Sequence, residues 1–188
     1  DVLVPRPETE TLVDAILKEN LQGKTLLELG TGSGAISISI AQENKDCFIF
    51  ATDISIKSIL VAKQNAAKFC CENIIFLNHD WNNEWLFPQV DYLISNPPYV
   101  DKEATSGKEE GIWHEPEIAL FSEDKGLSDL KLILSKGKNF LNENGKVYLE
   151  HAPDQYEELN KFAMENGYLN FSNLNDLNGD KRVSIYQC

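Results

Sequence analysis

The sequence predicts an α/β fold of Rossmann-like type, with a mostly parallel seven-stranded sheet and helices on both of its faces. Short apolar runs of strand length mostly alternate with segments of helical periodicity. A glycine-rich turn at residues 30–34 follows the first apolar run and opens into a helix, as in a nucleotide-type βα corner. Asn178-Gly179 separates the last two strand-like runs and favours a tight hairpin, which makes the final strand antiparallel to its neighbour.

Composition and charge bound the class of protein. Hydrophobic residues make up 42% of the 188 residues, which is ordinary for a globular protein. This length is enough for a single domain with a buried core, and we predict one domain over residues 1–188. The chain starts at Asp1 and not at methionine, so we expect a fragment of a longer protein. A net charge of −13 would repel a phosphate backbone, which disfavours a nucleic-acid partner without excluding it. No apolar run is long enough to cross a membrane, and no signal peptide is visible.

Cysteine and histidine spacing indicates neither a disulfide framework nor a metal site. None of the four cysteines forms a C-x-x-C pair, which is typical of a reduced, cytoplasmic protein. His79, His114 and His151 are scattered without ligand spacing, so we expect surface or hydrogen-bonded side chains and no metal.

The predicted elements follow in order from a first helix that Pro7 begins, with an apolar face of Leu12, Val13, Ile16 and Leu17. Strands are predicted at residues 25–29, 47–52, 73–77, 90–95, 146–151, 168–174 and 182–186. Helices are predicted at residues 35–42, 54–71, 126–141 and 154–166. The 54–71 helix is expected to bury five apolar side chains: Ile59, Leu60, Ala62, Ala66 and Phe69.

The glycine turn is the first candidate binding element, and it consists of Gly30, Thr31, Gly32, Ser33 and Gly34. Glycines allow a ligand to approach the backbone with no Cβ in the way, and the helix that follows directs its N–H groups at the ligand. The G-x-G-x-G spacing differs from the dinucleotide pattern and is also compatible with an ordinary βα turn.

Acidic residues at the ends of the next two strands extend this candidate site. Asp53 ends the second strand, where α/β nucleotide sites place an acid on ribose hydroxyls, although it also suits the start of the next helix. Asp80 and Trp81 follow the third strand, where an acid and an aromatic ring can border an adenine. Trp81 taken alone is more often a packing residue.

The most specific stretch is Asn96-Pro97-Pro98-Tyr99, directly after the fourth strand. Two prolines fix the backbone and leave no N–H to donate, so the exposed groups are the Asn96 side-chain oxygen and a backbone carbonyl beside the Tyr99 ring. This set suits an –NH₂ group on a planar substrate. The alternative is a proline turn with a packed tyrosine. The polar stretch at residues 100–120 is long for a connection and is expected to be functional.

Together these motifs resemble the class I fold that uses S-adenosylmethionine. The segments VLVPRPETE, LELGTGSGAISISIA, ATDIS, NPPYV and HEPEIAL resemble those of the HemK/PrmC family, the protein-(glutamine-N5) methyltransferases. That family methylates the glutamine of the GGQ motif in class I peptide-chain release factors during translation termination. The resemblance covers nearly the whole chain, and it implies that the family's small N-terminal helical domain is absent here. Ser33 and His114 depart modestly from the family pattern.

The resemblance implies a role for each matching residue. Gly30 to Gly34 would hold the methionine part of the cofactor, Asp53 its ribose, and Asp80 with Trp81 its adenine. Asn96, Pro97, Pro98 and Tyr99 would hold the substrate glutamine, with Asn96 also near the cofactor and Asn96, Pro97 and Tyr99 catalytic. Arg6 and Glu8 match the entry segment without an assigned role, and a loop over the site is one possibility for Arg6.

The expected chemistry is a direct in-line methyl transfer to the amide nitrogen without a metal or an evident general base. One alternative is an adenine-N6 methyltransferase acting on RNA or DNA, which shares the NPPY motif but not this acidic charge. A second alternative is a catalytically silent module that binds a partner. An NAD-linked oxidoreductase is disfavoured by the glycine spacing. The expected partner is therefore a release factor, with no direct nucleic acid and no membrane.

Overall fold

A computed structural model describes residues 6–101 and 120–188. The strands in chain order are β1 (Thr25–Leu29), β2 (Phe48–Asp53), β3 (Ile74–Asn78), β4 (Val90–Ser95), β5 (Val100–Asp101), β6 (Phe121–Ser122), β7 (Leu141–Glu150), β8 (Asn170–Asn175) and β9 (Lys181–Gln187). The helices are α1 (Thr9–Leu17), α2 (Ala35–Glu43), α3 (Ile56–Lys68), α4 (Glu123–Gly126), α5 (Ser128–Gly137) and α6 (Tyr156–Glu165). No helix in these ranges has the length and apolarity needed to cross a bilayer.

One seven-stranded sheet organises the fold, in the order β3-β2-β1-β4-β7-β9-β8. The pairs from β3 to β7 are parallel, whereas β9 runs antiparallel to both β7 and β8. The predicted fold class is therefore confirmed, including the antiparallel strand of the terminal hairpin. The short strands β5 and β6 form a separate parallel pair.

The helices cover both faces of the sheet, and each face has its own apolar core. Helices α1, α2 and α3 enclose one core with Leu26 and Ile49 of the sheet. Helices α5 and α6 enclose the other with Leu27, Leu93 and Val147. Burial of alternate strand residues on opposite faces is the pleat expected of a sheet that helices cover on both sides.

Helix α1 crosses one face and is anchored beyond its C-terminal end by Glu19. The Glu19 carboxylate accepts hydrogen bonds from Lys146 Nζ (2.7 Å) and the Tyr148 hydroxyl (2.7 Å) of β7. Burial acts to raise the pKa of Glu19, but these donors outweigh it and lower the pKa. This anchor leaves the N-terminal end of α1 at the opposite, carboxyl edge of the parallel strands.

Three local predictions differ from the structure. Leu60 and Phe69 are exposed, because the inward stripe of α3 follows Ile59, Ala62 and Ala66 and the helix ends before Phe69. The helix predicted at 126–141 is shorter, since Leu141 already pairs with Val90 in the sheet.

The terminal hairpin also has a longer loop than the Asn-Gly pair suggests. Asp176 Oδ1 accepts the N–H groups of Asn178 (2.9 Å) and Asp180 (3.0 Å) and so closes a wider turn. Sequence periodicity does not report such side-chain bonds to the backbone.

Candidate active site

The glycine loop leaves the sheet at the end of β1 and has a left-handed backbone conformation, which glycine adopts without strain. Gly30, Gly32 and Gly34 all have positive φ angles, of 74°, 55° and 84°. An added Cβ on Gly34 would lie 2.9 Å from Ile38 Cδ1 and 3.1 Å from Ala62 Cβ. The loop is therefore packed directly onto α2 and α3, and its N–H groups are held at the carboxyl edge of the sheet.

The Glu28 side chain binds both the glycine loop and α2, a role that the sequence analysis missed. Its side chain is almost completely buried, and its Oε2 accepts hydrogen bonds from the hydroxyls of Thr31 (2.7 Å) and Ser37. Burial raises the pKa of Glu28 to about 7, although both hydroxyls oppose the shift. The signal available in the sequence was a single acid inside the apolar run LLEL.

Asp53 lies at the tip of β2 and contacts the glycine loop. Its Oδ2 accepts the N–H of Gly32 (2.9 Å), and its Oδ1 accepts the N–H of Ser55 (2.8 Å). Burial raises the pKa of Asp53 despite these bonds. The structure thus brings the predicted ribose acid and the predicted loop together, with the carboxylate at the sheet edge.

Trp81 also reaches the loop, whereas Asp80 bonds within its own turn. A Cβ on Gly30 would lie 3.1 Å from the Trp81 ring, whose Nε1 donates to Asp129 Oδ1 (3.0 Å). Asp80 Oδ1 accepts the backbone and side-chain N–H groups of Asn82 (2.9 Å each). The adenine contacts expected of Asp80 and Trp81 stay a prediction.

The Asn96-Pro97-Pro98-Tyr99 loop leaves β4 beside the glycine loop. Ser95 pairs with Leu29 in the sheet, and its hydroxyl donates to the Leu29 carbonyl (2.7 Å), so Asn96 and Gly30 leave adjacent strand ends. Pro97 and Pro98 are buried. The Asn96 side chain is partly exposed, and its Nδ2 donates to the Thr9 hydroxyl oxygen of α1 (3.2 Å).

Tyr99 is held at both its ring and its backbone. Its hydroxyl donates to Glu150 Oε1 (3.0 Å), and its carbonyl accepts from Gln155 Nε2 (2.9 Å). Gly126 packs against the same carbonyl, because an added Cβ there would lie 2.0 Å from the Tyr99 oxygen. Burial, with the neighbouring Glu150 charge, raises the pKa of Tyr99, so its hydroxyl remains a donor.

Glu150 and Thr9 are further residues of this region that the sequence analysis did not single out. Glu150 ends β7 and is fully buried, and burial raises its pKa although the hydroxyls of Thr9 and Tyr99 oppose the shift. Its Oε1 accepts from the Tyr99 hydroxyl, whereas its buried Oε2 has no hydrogen-bond partner among the described residues. Glu8 and Arg182 also influence this carboxyl electrostatically. The available signal for Glu150 was an acid at the end of an apolar strand, as for Asp53.

The remaining candidate residues are placed apart from this cluster or are not described. His151 is buried between the Ala152 carbonyl and the Ser184 hydroxyl (2.7 Å each), and burial lowers its pKa to about 4. His79 packs on Phe87. In residues 6–101 and 120–188, no three His, Cys, Asp or Glu side chains form a group that could hold a metal. Pro5, His114 and the polar stretch at 102–119 lie outside the described residues.

Comparison with known proteins finds similarity to methyltransferases. Residues 7–115 match the family model described as "Methyltransferase small domain". A release factor glutamine methyltransferase from Francisella tularensis is 34% identical over 191 residues, which cover 100% of this chain and 67% of that protein. A bifunctional methyltransferase from Rickettsia bellii is 34% identical over 212 residues, but this chain spans only 38% of its length.

A solved structure supports the same fold. A methyltransferase from Pyrococcus furiosus matches 100% of this chain and 85% of its own, with a TM-score of 0.72 and 21% sequence identity. At this identity the likeness concerns the fold alone. The order and direction of the seven strands agree with the class I methyltransferase architecture.

Proposed function

Since this chain belongs to the methyltransferase small domain family and to the release factor glutamine methyltransferases, we propose that it methylates the side-chain amide nitrogen of a protein glutamine. The acceptor in this proposal is the glutamine of the GGQ motif in class I peptide-chain release factors, with S-adenosylmethionine as the methyl donor. The observation that carries the proposal is the placement of Asn96 beside the glycine loop, at the adjacent ends of β4 and β1.

The residues at the sheet edge fit S-adenosylmethionine. A loop with three positive-φ glycines leaves its backbone accessible, and the Asp53 carboxylate beside it can accept hydrogen bonds from ribose hydroxyls. We assign the methionine part to Gly30–Gly34, with Thr31 and Ser33 between the glycines, and the adenine to the neighbourhood of Asp80 and Trp81. When bound, the cofactor would supply a methyl group on a positively charged sulfur, and the neutral thioether S-adenosylhomocysteine would be the leaving group.

The NPPY loop would bind and orient the acceptor amide. An amide nitrogen is a poor nucleophile because its lone pair is delocalised into the carbonyl. Hydrogen bonds from the –NH₂ group to Asn96 Oδ1 and the Pro97 carbonyl would hold the nitrogen in one orientation, and Tyr99 would flank the amide plane. Both acceptors also favour the positive charge that develops on nitrogen, after which the surplus proton leaves to solvent.

The alternative acceptor is the exocyclic amine of adenine, because the same loop suits any planar –NH₂ group. The net charge of −13 disfavours this reading, since a nucleic-acid substrate requires cations along its phosphates. In the function that we propose, the substrate is therefore a protein. We also propose a cytoplasmic site of action with no metal requirement.

The test is methyl transfer from labelled S-adenosylmethionine to a release factor, to its variant with the GGQ glutamine replaced, and to bulk RNA and DNA. We expect label on the release factor and none on its variant. Label on nucleic acid would replace the proposed function by adenine methylation. Cofactor binding without any labelled product would favour the silent binding module.

A further inference from the structure

The Gln155 side chain joins the NPPY loop to two other segments of the chain. Its Nε2 donates to the Tyr99 carbonyl (2.9 Å) and to the Lys125 carbonyl (3.0 Å). Its Oε1 accepts the backbone N–H of Ala152 (2.9 Å). Gln155 is 6% exposed, so water does not compete freely for these bonds. One buried amide therefore connects the loop after β4, the turn of α4 and the residues between β7 and α6.

These partners permit only one orientation of the Gln155 amide. An amide –NH₂ group has two hydrogens, and both face carbonyl oxygens here, whereas the amide oxygen faces an N–H group. In the reversed orientation, the oxygen would face two carbonyl oxygens and the –NH₂ group would face the Ala152 N–H. The two donors of Gln155 are therefore committed to Tyr99 and Lys125.

Gly126 provides the space in which Gln155 and Tyr99 meet. An added Cβ at this position would lie 2.0 Å from the Tyr99 oxygen and 2.7 Å from Gln155 Nε2. The preceding Asp124 and Lys125 have positive φ angles of 52° and 55°, which residues with a side chain seldom adopt. Such conformations persist where surrounding contacts hold them, and the bond from Gln155 to the Lys125 carbonyl is such a contact.

Tyr99 is held at two points by one short stretch of the chain. Its hydroxyl donates to Glu150 Oε1 (3.0 Å) at the end of β7, and its carbonyl accepts from Gln155, just after that strand. Pro97 and Pro98 are buried, and their rings restrict the backbone. A displacement of the Tyr99 backbone would therefore extend to the Pro97 carbonyl.

We propose that Gln155 is a positioning residue for methyl transfer, because its –NH₂ group fixes the Tyr99 backbone and with it the loop that orients the acceptor amide. In the proposed function, the Tyr99 ring flanks that amide and the Pro97 carbonyl accepts from its –NH₂ group. Gln155 acts through these groups and not by touching the acceptor. The inference rests on the proposed function for the identity of the acceptor, and on the hydrogen bonds of Gln155 for the positioning.

The kinetic test compares Gln155→Met and Gln155→Glu with the unchanged chain, using the release factor as substrate. Methionine keeps the length of the side chain without its amide, whereas glutamate keeps an oxygen for Ala152 but directs the other at two carbonyl oxygens. We expect both variants to lower kcat by roughly ten- to a hundredfold, since a misplacement of about 1 Å can have this effect. The KM for the release factor and the Kd for S-adenosylmethionine should change little.

Matched controls separate positioning from folding. Gln64→Met makes the same change at an exposed position of α3 and should leave kcat unchanged. Thermal unfolding sets an assay temperature at which each variant is folded. A kcat within about threefold of the unchanged chain in the folded variants would overturn the inference. A fall in kcat with an equally large rise in the Kd for S-adenosylmethionine would also overturn it, because the damage would then reach beyond the acceptor loop.

The Tyr99 carbonyl can be observed by NMR spectroscopy without any substrate. Tyr99-Val100 is the only Tyr-Val pair in the sequence, so a chain labelled with ¹³C at tyrosine carbonyls and ¹⁵N at valine gives one amide-to-carbonyl correlation. Loss of a hydrogen bond moves a carbonyl ¹³C signal upfield. We expect this shift in Gln155→Met and not in Gln64→Met. An unchanged signal in Gln155→Met would overturn the inference.

Failure of the proposed function has a different signature. A wild-type chain that methylates no release factor would refute that function, whereas the carbonyl signal would still decide whether Gln155 holds Tyr99. If the label goes to nucleic acid instead, the same comparison of kcat with that acceptor tests the positioning role.

Discussion

The carboxylate of Asp53 accepts a 2.9 Å hydrogen bond from the backbone N–H of Gly32, which joins the tip of β2 to the glycine loop after β1. The contact has two consequences for a ligand at this edge. It fixes the loop backbone at Gly32, and it holds the Asp53 carboxylate at the sheet edge, where the proposed ribose hydroxyls would lie. In the proposed cofactor site, Asp53 would therefore both contact the ribose and support the loop.

Replacing Asp53 with alanine should weaken cofactor binding strongly. We expect Asp53→Ala to raise the Kd for S-adenosylmethionine at least tenfold, or about 1.4 kcal/mol, because both the ribose acceptor and the loop support are removed. Isothermal titration calorimetry measures this directly. Asp46→Ala, at an exposed position, is the matched control, and an unchanged Kd for Asp53→Ala would exclude Asp53 from the site.

Lys136 should support the adenine end of the site. Its Nζ donates to the carbonyls of Trp81 (2.9 Å), Asn82 (2.8 Å) and Asn83 (3.0 Å), which fixes the turn that carries Trp81. Lys136→Met keeps the apolar stem but removes these donors. We expect the Kd for S-adenosylmethionine to rise roughly three- to tenfold.

The control for this change is Lys63→Met on the exposed side of α3, which should bind the cofactor as the wild type does. If Lys136→Met and Lys63→Met give the same Kd, the Trp81 turn does not take part in cofactor binding.

Substitution of Gly126 should destabilise the protein because this glycine packs against the Tyr99 carbonyl. An added Cβ would meet the Tyr99 carbonyl oxygen at 2.0 Å, and the φ of +82° is unfavourable for alanine. We expect Gly126→Ala to lower the free energy of unfolding by roughly 2–4 kcal/mol, as overpacking adds to backbone strain. Methyl transfer should fall as well, since the NPPY loop must shift.

Gly179→Ala separates these two contributions. Gly179 has a similar φ of +90° but no atom within 4 Å of an added Cβ, so its substitution should cost only the strain of roughly 1–2 kcal/mol. Urea unfolding of both variants gives the comparison. Equal losses of stability would show that the Gly126–Tyr99 contact has no energetic importance.

Glu28 should make stability depend on pH. Burial raises its pKa from 4.5 to about 7, so between these values the folded protein keeps a proton that the unfolded chain releases. The contribution of Glu28 to the free energy of unfolding therefore falls as the pH rises through this window. For a shift of this size the loss is on the order of 3 kcal/mol.

Glu28→Gln should remove this loss while it keeps an oxygen for Thr31 and Ser37. Urea unfolding at about pH 4.5 and about pH 7.5 should give a smaller fall in stability for the variant than for the wild type. Asp53 and Glu150, whose pKa values burial also raises, affect both proteins in the same sense. Parallel pH profiles would mean that Glu28 is not protonated in the folded state.

The fold was predictable because its signals are local. The alternation of strand and helix patterns, the glycine spacing and the terminal Asn-Gly pair each lie within a few residues, and the structure bears out the class that they indicate. Leu60 was wrongly placed because it points away from the buried stripe of Ile59, Ala62 and Ala66, and Phe69 because it follows the end of α3. Hydrophobicity alone defines neither the direction of the stripe nor the last residue of the helix.

Thr9 and Glu150, which contact the NPPY loop from elsewhere in the chain, were not predictable because they are distant from the loop in sequence. Asn96 and Thr9 are 87 positions apart, and Tyr99 and Glu150 are 51 positions apart. These pairs meet only because β7 lies next to β4 and α1 begins beside both. Strand order and helix placement are properties of the whole fold, and the residues at the strand ends were visible in the sequence without their partners.

The central claim is that the NPPY loop positions a glutamine amide for methylation, and tandem mass spectrometry of the treated release factor tests it most directly. The wild-type chain should add a methyl group to the side-chain nitrogen of the GGQ glutamine, and Asn139→Ala, at an exposed asparagine, should do the same. Asn96→Ala should bind S-adenosylmethionine and remain folded but add no detectable methyl group. Methylation of that glutamine by Asn96→Ala at a near-normal rate, or methylation by the wild type at another residue only, would contradict the account.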